Sequence, residues 1–492
     1  MNFKRYQSRT REYSWWSDVT PQNLPEQMGQ LTGLELPESQ QGKVWTFMPF
    51  ILAGKNIPDK SGEIKDTLFT GGIDIRFQPS SDWTGVASLN PDFSQVEDAV
   101  SDISFSYTEK VLDDNRPFFA EGADYFSDSD QYFYSNRAAD FDYGAKTFGR
   151  FGANQFALLA TAAPDERNDF VGRWAYEFGE THTGVAAMTA TRQEAYDNAL
   201  GLLKFKGREK GGLKYSVDIA ATDTSGIEDS DPREGQGAHL ESSLGWQGDY
   251  WSLGSVADYY DVNYFPALGL LRGDRPGTRA YGANISYYRE RSDRTWRVLE
   301  GYVGYSLRET DSGAVQNRKW YTGGSVELQS QIRTTVYAES GPYRPVGNRR
   351  GEFQDFLNDD RYYSVAVDFL TRSDVFSFGA QYDWGDLGGA DYRLASLYAV
   401  WSPIDVVNLE ATYEMADSFG ETEQAIVSGS WQITPEDSIG GRVISFSTPN
   451  TTDNFYRLTY GRRVRQGFDL FLVYDNSPNV TEQYSVKVVK TF

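Results

Sequence analysis

Reactive side chains are sparse in this chain of 492 residues. Its two histidines, His182 in GETHTG and His239 in GAHLESS, each lack a second histidine at metal-ligand spacing and a recognisable nucleophile motif. Cysteine is absent, which removes disulfides and thiol chemistry. The 70 acidic residues supply many carboxylate pairs, and no spacing singles one out for glycoside cleavage. The runs SDSD and EDSDPRE offer oxygen ligands for Ca²⁺ but lack calcium-loop spacing. No catalytic residue, metal or cofactor is therefore expected, and the chain is not read as an enzyme.

Side chains with work to do concentrate between Lys110 and Asp140, in KVLDDNRPFFAEGADYFSDSDQYFYSNRAAD. This stretch has no sustained alternation and is rich in acids. Arg116 offers a planar fork for a carboxylate on a neighbouring wall, Phe118 and Phe119 can wedge against an apolar surface, and Gly122 permits a sharp bend. Glu121, Asp124, Asp128 and Asp130 would give an opening a negative field, favouring cations or polyhydroxylated solutes over anions. Two placements stay open, a constriction inside a pore and an external loop packed on its neighbours. In LNPDFSQVE, Pro91 ends a strand for lack of an amide donor, and Asn90, Pro91 and Asp92 read as a structural turn.

The elements around this stretch are strands. Phe376, Phe378, Ala380, Tyr382 and Trp384 alternate with Ser377, Gly379, Gln381 and Asp383. Val407, Leu409, Ala411, Tyr413 and Met415 alternate with Asn408, Glu410, Thr412 and Glu414. A water-soluble sandwich shows the same period, so alternation alone does not decide. Three features do. The segments run about 10 to 13 residues, against about 5 or 6 in globular sheets and about 9 to 11 for a tilted crossing of a bilayer. Aromatics such as Tyr362, Tyr363, Trp384, Trp401, Trp431 and Tyr474 gather at segment ends, as at a headgroup interface. Links alternate between terse (RRVRQG, TPED, SPID, TRSD) and roomy (STPNTTDN, GPYRPVGNRRGEFQDFLNDD, YFPALGLLRGDRPGTR), as when one end of a barrel carries its long loops.

The predicted fold is one large antiparallel transmembrane β-barrel of about 26 strands, an even number between 20 and 26, in a bacterial outer membrane. The last segment, TEQYSVKVVKTF, places Tyr484, Val486, Val488 and Phe492 on one face and reads as the barrel-closing strand. Mean hydropathy of −0.56 is compatible, because only alternate positions meet lipid. A formal net charge of −23 argues against nucleic acid as a partner. The first residues have no apolar core of a secretory signal, so an exported protein would have lost its signal upstream of this chain. A large N-terminal plug is not expected either, since strand-like segments begin early; residues 10–43 would contribute at most a small internal plug.

LNPDFSQVE (Leu89 to Glu97) followed by NRPFFAEGADYF (Asn115 to Phe126) resembles the signature of an uncharacterised outer-membrane barrel family. REYSWW, GQLTGL and VWTFMPF are similar to the start of that family's barrel. Members usually carry the barrel behind a module similar to family-nine carbohydrate-binding domains, which is not expected within this sequence. At Val111 to Asn115 it also departs from the two Phe, Pro, Glu and Lys more usual in relatives. The expected function is porin-like passage of a hydrophilic solute, gated or narrowed by an internal loop. The alternatives are a surface receptor or assembly platform for glycan or another envelope protein, and, with less support, an outer-membrane hydrolase. Lipid and the barrel-assembly machinery are the expected partners.

Overall fold

The computed structural model describes the chain outside residues 1–3, 8–11, 16–43, 57–66, 92–101, 292–293, 348–349, 418–419 and 478–479 and positions 108, 113, 115, 128, 139, 165, 180, 210, 229 and 466. Twenty-four strands form one closed barrel in which each strand pairs antiparallel with its sequence neighbours. The first, Val44–Asn56, meets the last, Val480–Lys490, from Gln483 opposite Asn56 to Val489 opposite Phe50. Phe492 extends this seam: its amide donates to Phe47 O at 3.0 Å and its carbonyl accepts from Phe47 N at 3.4 Å. The Phe-ended segment thus closes the ladder.

The 24 wall strands fall in the expected even range of 20 to 26, and two further short strands form a separate sheet of their own. Lys4–Gln7 and Glu12–Trp15 pair only with each other. Four residues extend about 13 Å at the strand rise, too short for an apolar band of about 25 Å; the alternation that exposed them to counting is the same in a free hairpin as in a wall. The wall strands reach 15 residues, in Trp296–Thr310 and Ala390–Ile404. Most of the segment considered for a small plug, residues 16–43, lies outside the described residues.

The two faces of the wall differ as a bilayer demands. In the strand Tyr196–Arg208, Leu203 is 63% exposed on the outside while Leu202 beside it is 7% exposed on the inside. Ile51, Ile219, Leu244, Val336, Leu397 and Leu458 continue the exposed apolar surface around the circumference. A soluble protein does not leave such a belt in water. Trp45, Phe77, Trp83, Phe151 and Phe156 form a chain of ring contacts 4.2–6.5 Å apart, all next to short links. These rings form an interfacial girdle at one rim. By connection parity every long loop, including the run between Leu89 and Tyr143, leaves from the opposite rim.

Leu203→Arg puts a charge in mid-strand on the apolar face. It should destabilise the barrel by about 2–4 kcal/mol in reversible folding into lipid vesicles. An unchanged folding free energy would mean that this face does not meet hydrocarbon.

Candidate functional site

The barrel's longest connection turns inward. After the strand Trp83–Leu89 the backbone reverses at Asn90, whose φ of 48° lies in the left-handed region that Asn tolerates well. The Asn90 side chain donates to Thr70 Oγ1 and Gly71 O at 2.8 Å, and its amide donates to Asp142 O at 2.6 Å. Asn90 and Pro91 therefore sit at a turn that ties both ends of the connection together. Asp92 and the rest of that motif lie outside the described residues.

Residues 116–141 pack on one side of the wall. Pro117–Ala120 forms a single helical turn with Pro at its start, where a missing amide costs nothing. Phe118, Phe119, Phe126, Phe133 and Phe141 join the inward-facing Phe148, Ala157, Leu159 and Val171 in one buried cluster. Phe118 lies 4.8 Å from the Phe141 ring and Phe126 6.1 Å from that of Phe148. Gly122 has φ of 70°, and a Cβ there would sit 2.5 Å from the Phe148 ring, so this bend needs glycine on two counts. Glu121 reaches the wall through Arg76 at 2.7 Å, and Lys146 donates to its carbonyl. Asp124 and Asp130 are exposed.

Arg116 finds its partners, among the described residues, within its own segment rather than at a wall carboxylate. Its fork closes on Asp114, two residues back, at 2.9 and 2.7 Å, and also donates to Ser135 O and Ala138 O at 2.7 and 3.1 Å. It covers the Phe119 ring at 4.2 Å. The short spacing lets the guanidinium staple the segment to itself before the wall comes within reach. Burial alone would push the Asp114 carboxyl up; bonding and attraction from Arg116 outweigh it and hold that carboxyl below its ordinary range.

The same connection also reaches the far side. Ile103 N donates to Glu414 Oε2 at 3.1 Å and Phe105 N to Tyr392 OH at 3.4 Å. The Tyr107 hydroxyl donates to Asp360 Oδ2 and accepts from Gly388 N, both at 2.7 Å. Burial and the Asp360 carboxylate push that hydroxyl's pKa up, so it stays a donor. Ile103 and Phe105 pack against Leu387, Tyr392, Leu394 and Ala416. The strand Phe376–Leu387 lies half the circumference from Asn154–Ala163, which carries Ala157 and Leu159.

A third set of contacts involves His239, which sequence reasoning set aside. Its ring is 1% exposed and stacks on Tyr260 at 4.2 Å. Gln131 Nε2 lies 3.2 Å from His239 Nδ1, and Gln131 Oε1 accepts from Tyr260 OH at 2.8 Å and Arg275 at 2.9 Å. Tyr132 donates to Asp218 at 3.0 Å. The connection at 261–277 meets the segment through Tyr134 N to Leu268 O, 2.7 Å, and Leu270 N to Asp130 O, 2.8 Å. Arg350, on the connection at 344–357, donates to Val262 O at 3.0 Å and to Tyr264 O. Three connections thus interlock. His182 lies apart, 2.8 Å from Tyr215 OH at a short-link rim.

A sequential antiparallel barrel with no open edge and an apolar exterior is an integral outer-membrane β-barrel. Residues 45–149 match a domain of unknown function, DUF5916. That span includes LNPDFSQVE and NRPFFAEGADYF. The barrel is similar to the siderophore receptor PirA from Pseudomonas aeruginosa, with a TM-score of 0.51 at 9% identity over 91% of this chain and 80% of that one. It is similar also to a variant of the ferric enterobactin receptor PfeA from the same organism in complex with enterobactin, with a TM-score of 0.51 at 8% identity over 91% and 81%. At such identity the likeness is one of fold. No curated protein matches the chain.

Because the chain has no cysteine, a spin label on Asp124→Cys reports this segment alone. A carboxyl with a depressed folded pKa stabilises the fold above its unfolded value and loses that contribution as pH falls through the folded one. The label should therefore stay immobile from neutral pH down to the ordinary carboxylate value of 3.8 and loosen only below it. In Asp114→Asn or Gly122→Val it should be mobile already at pH 7. Immobility in both variants would refute the role given to these two residues.

Proposed function

We propose that this protein is an outer-membrane channel for a hydrophilic solute, with a lumen narrowed by residues 103–142. One observation carries the reading: the connection bonds inward-facing side chains on opposite sides of the barrel. Small eight-stranded barrels fill with side chains, porins of about 16–18 strands hold water, and wider transporters carry a plug. Twenty-four strands belong with the last group. In this reading Phe118 and Phe119 are the wedge that seats the segment, Arg116 its internal staple and Glu121 its tie to the wall. The exposed Asp124 and Asp130 colour the remaining opening negative, which favours cations and neutral polyols over anions.

A second reading is a shut barrel that serves as a receptor. The fold likeness to proteins named as siderophore and ferric enterobactin receptors supports it. Conductance separates the two. Purified protein in planar bilayers should pass small, cation-preferring currents. Deleting residues 115–124 should raise the conductance by about threefold or more, as expected when an inserted segment sets the pore radius. Asp124→Asn with Asp130→Asn should weaken the cation preference. Silence in the wild type and in the deletion would favour the receptor, and identical nonzero currents would place the segment outside the conducting path.

A further inference from the structure

Residues 104–107 and the far wall line an open cavity of about 340 Å³, within the roughly 300–1,000 Å³ of small-ligand pockets. Aromatic rings dominate its lining. Tyr107 stacks on Tyr343 at 3.7 Å, Tyr337 lies 5.8 Å from Tyr362, and Tyr362 lies 6.2 Å from Tyr392. Tyr337 and Tyr362 are only partly buried, and both line this cavity.

Part of the charge at this cavity is paired internally. Lys319 pairs with Glu339 at 2.7 Å, the Tyr337 hydroxyl donates to the other oxygen of Glu339, and Asp360 holds Tyr107. Three buried polar atoms of its lining have no hydrogen-bond partner among the described residues: the Tyr343 hydroxyl and two acceptors, Asp274 Oδ1 and Asn317 Oδ1. Both acceptors border this cavity and an adjoining one of about 180 Å³, which also touches Arg272, Arg275 and Arg308. A buried acceptor without a donor is costly, and these two atoms are placed to accept hydrogen bonds from a ligand's hydroxyls. A cation would also bring donors, but Arg272, Arg275, Arg308 and Lys319 already populate the surroundings. An anion would meet Asp274, Glu339 and Asp360. A neutral polyol satisfies both conditions, and the apolar C–H face of a sugar ring also matches an exposed tyrosine face.

We propose that this cavity binds a neutral mono- or disaccharide, its ring against Tyr337 and Tyr362 and its hydroxyls donating to Asp274 and Asn317. As a solute-selecting step the site rests on the transport reading above; binding itself does not, and the two are measured separately. The probes are maltose, cellobiose and xylobiose, with tetramethylammonium as a cationic control, read by saturation-transfer NMR and calorimetry on the whole protein in nanodiscs. At least one disaccharide should bind saturably. Tyr362→Ala should weaken it about tenfold, the scale of a lost aromatic contact. Tyr362→Phe, which keeps the ring, should bind nearly as well, and Asn317→Ala should weaken binding with the barrel still folded. The proposal is overturned if none of the three binds at millimolar concentration. It is equally overturned if affinity is unchanged in both Tyr362→Ala and Asn317→Ala, or if tetramethylammonium binds instead. Binding without sugar flux into liposomes counts against transport alone; flux without binding counts against this site alone.

Discussion

A backbone amide or carbonyl left unpaired in hydrocarbon costs several kcal/mol, and no water is at hand to relieve it. A sheet in a bilayer must therefore close. Here the closure is the seam between Val44–Asn56 and Val480–Lys490, extended by the reciprocal bonds of Phe47 and Phe492. Everything else follows from how many strands that closure joins. At 24 the ring is too wide for wall side chains to meet across it. The interior then holds either water or another part of the chain.

The inner wall carries the imprint of the second solution. Outer-membrane strands ordinarily present polar residues to the lumen, yet Ala157, Leu159, Val171, Leu200 and Leu202 all face inward and are nearly inaccessible. They are apolar because the rings of Phe118, Phe126, Tyr132 and their neighbours rest on them. Across the lumen the contact changes character, to single hydrogen bonds from Ile103, Phe105 and Tyr107 and a small apolar cluster. The segment is thus seated by burial on one side and tethered by polar contacts on the other. The same polar side borders the tyrosine-lined cavity.

Much of the wall was legible because a period of two is a local signal. The strands Phe376–Leu387 and Val407–Asp417 alternate as their sequences require, and the long links all leave one rim, although that rim also carries links as short as 194–195 and 388–389. The interior was less so. The broken alternation between Lys110 and Asp140 marked the segment, but its far tether joins residues 253 to 311 positions apart, which no local pattern encodes. The chemistry of the Arg116 guanidinium names its partner type and not its location, which among the described residues includes Asp114 two positions back. One usable signal was passed over. Phe156 to Ala163 is apolar on both faces apart from Thr161, which a lipid-facing strand does not need unless something packs behind it. His239 gave no such sign, since a lone imidazole among small residues looks the same whether buried or wet.

The seating of the segment across the lumen is tested most directly by hydrogen–deuterium exchange of the whole protein in nanodiscs, followed at the peptides covering residues 103–107 and 116–126. The amides of Ile103 and Phe105 are bonded to the far wall, and those of Phe119 and Ala120 to the Arg116 carbonyl beneath a buried ring cluster. They should exchange nearly as slowly as the wall strands. Exchange at the rate of an exposed loop in both peptides, with the wall still protected, would contradict the account.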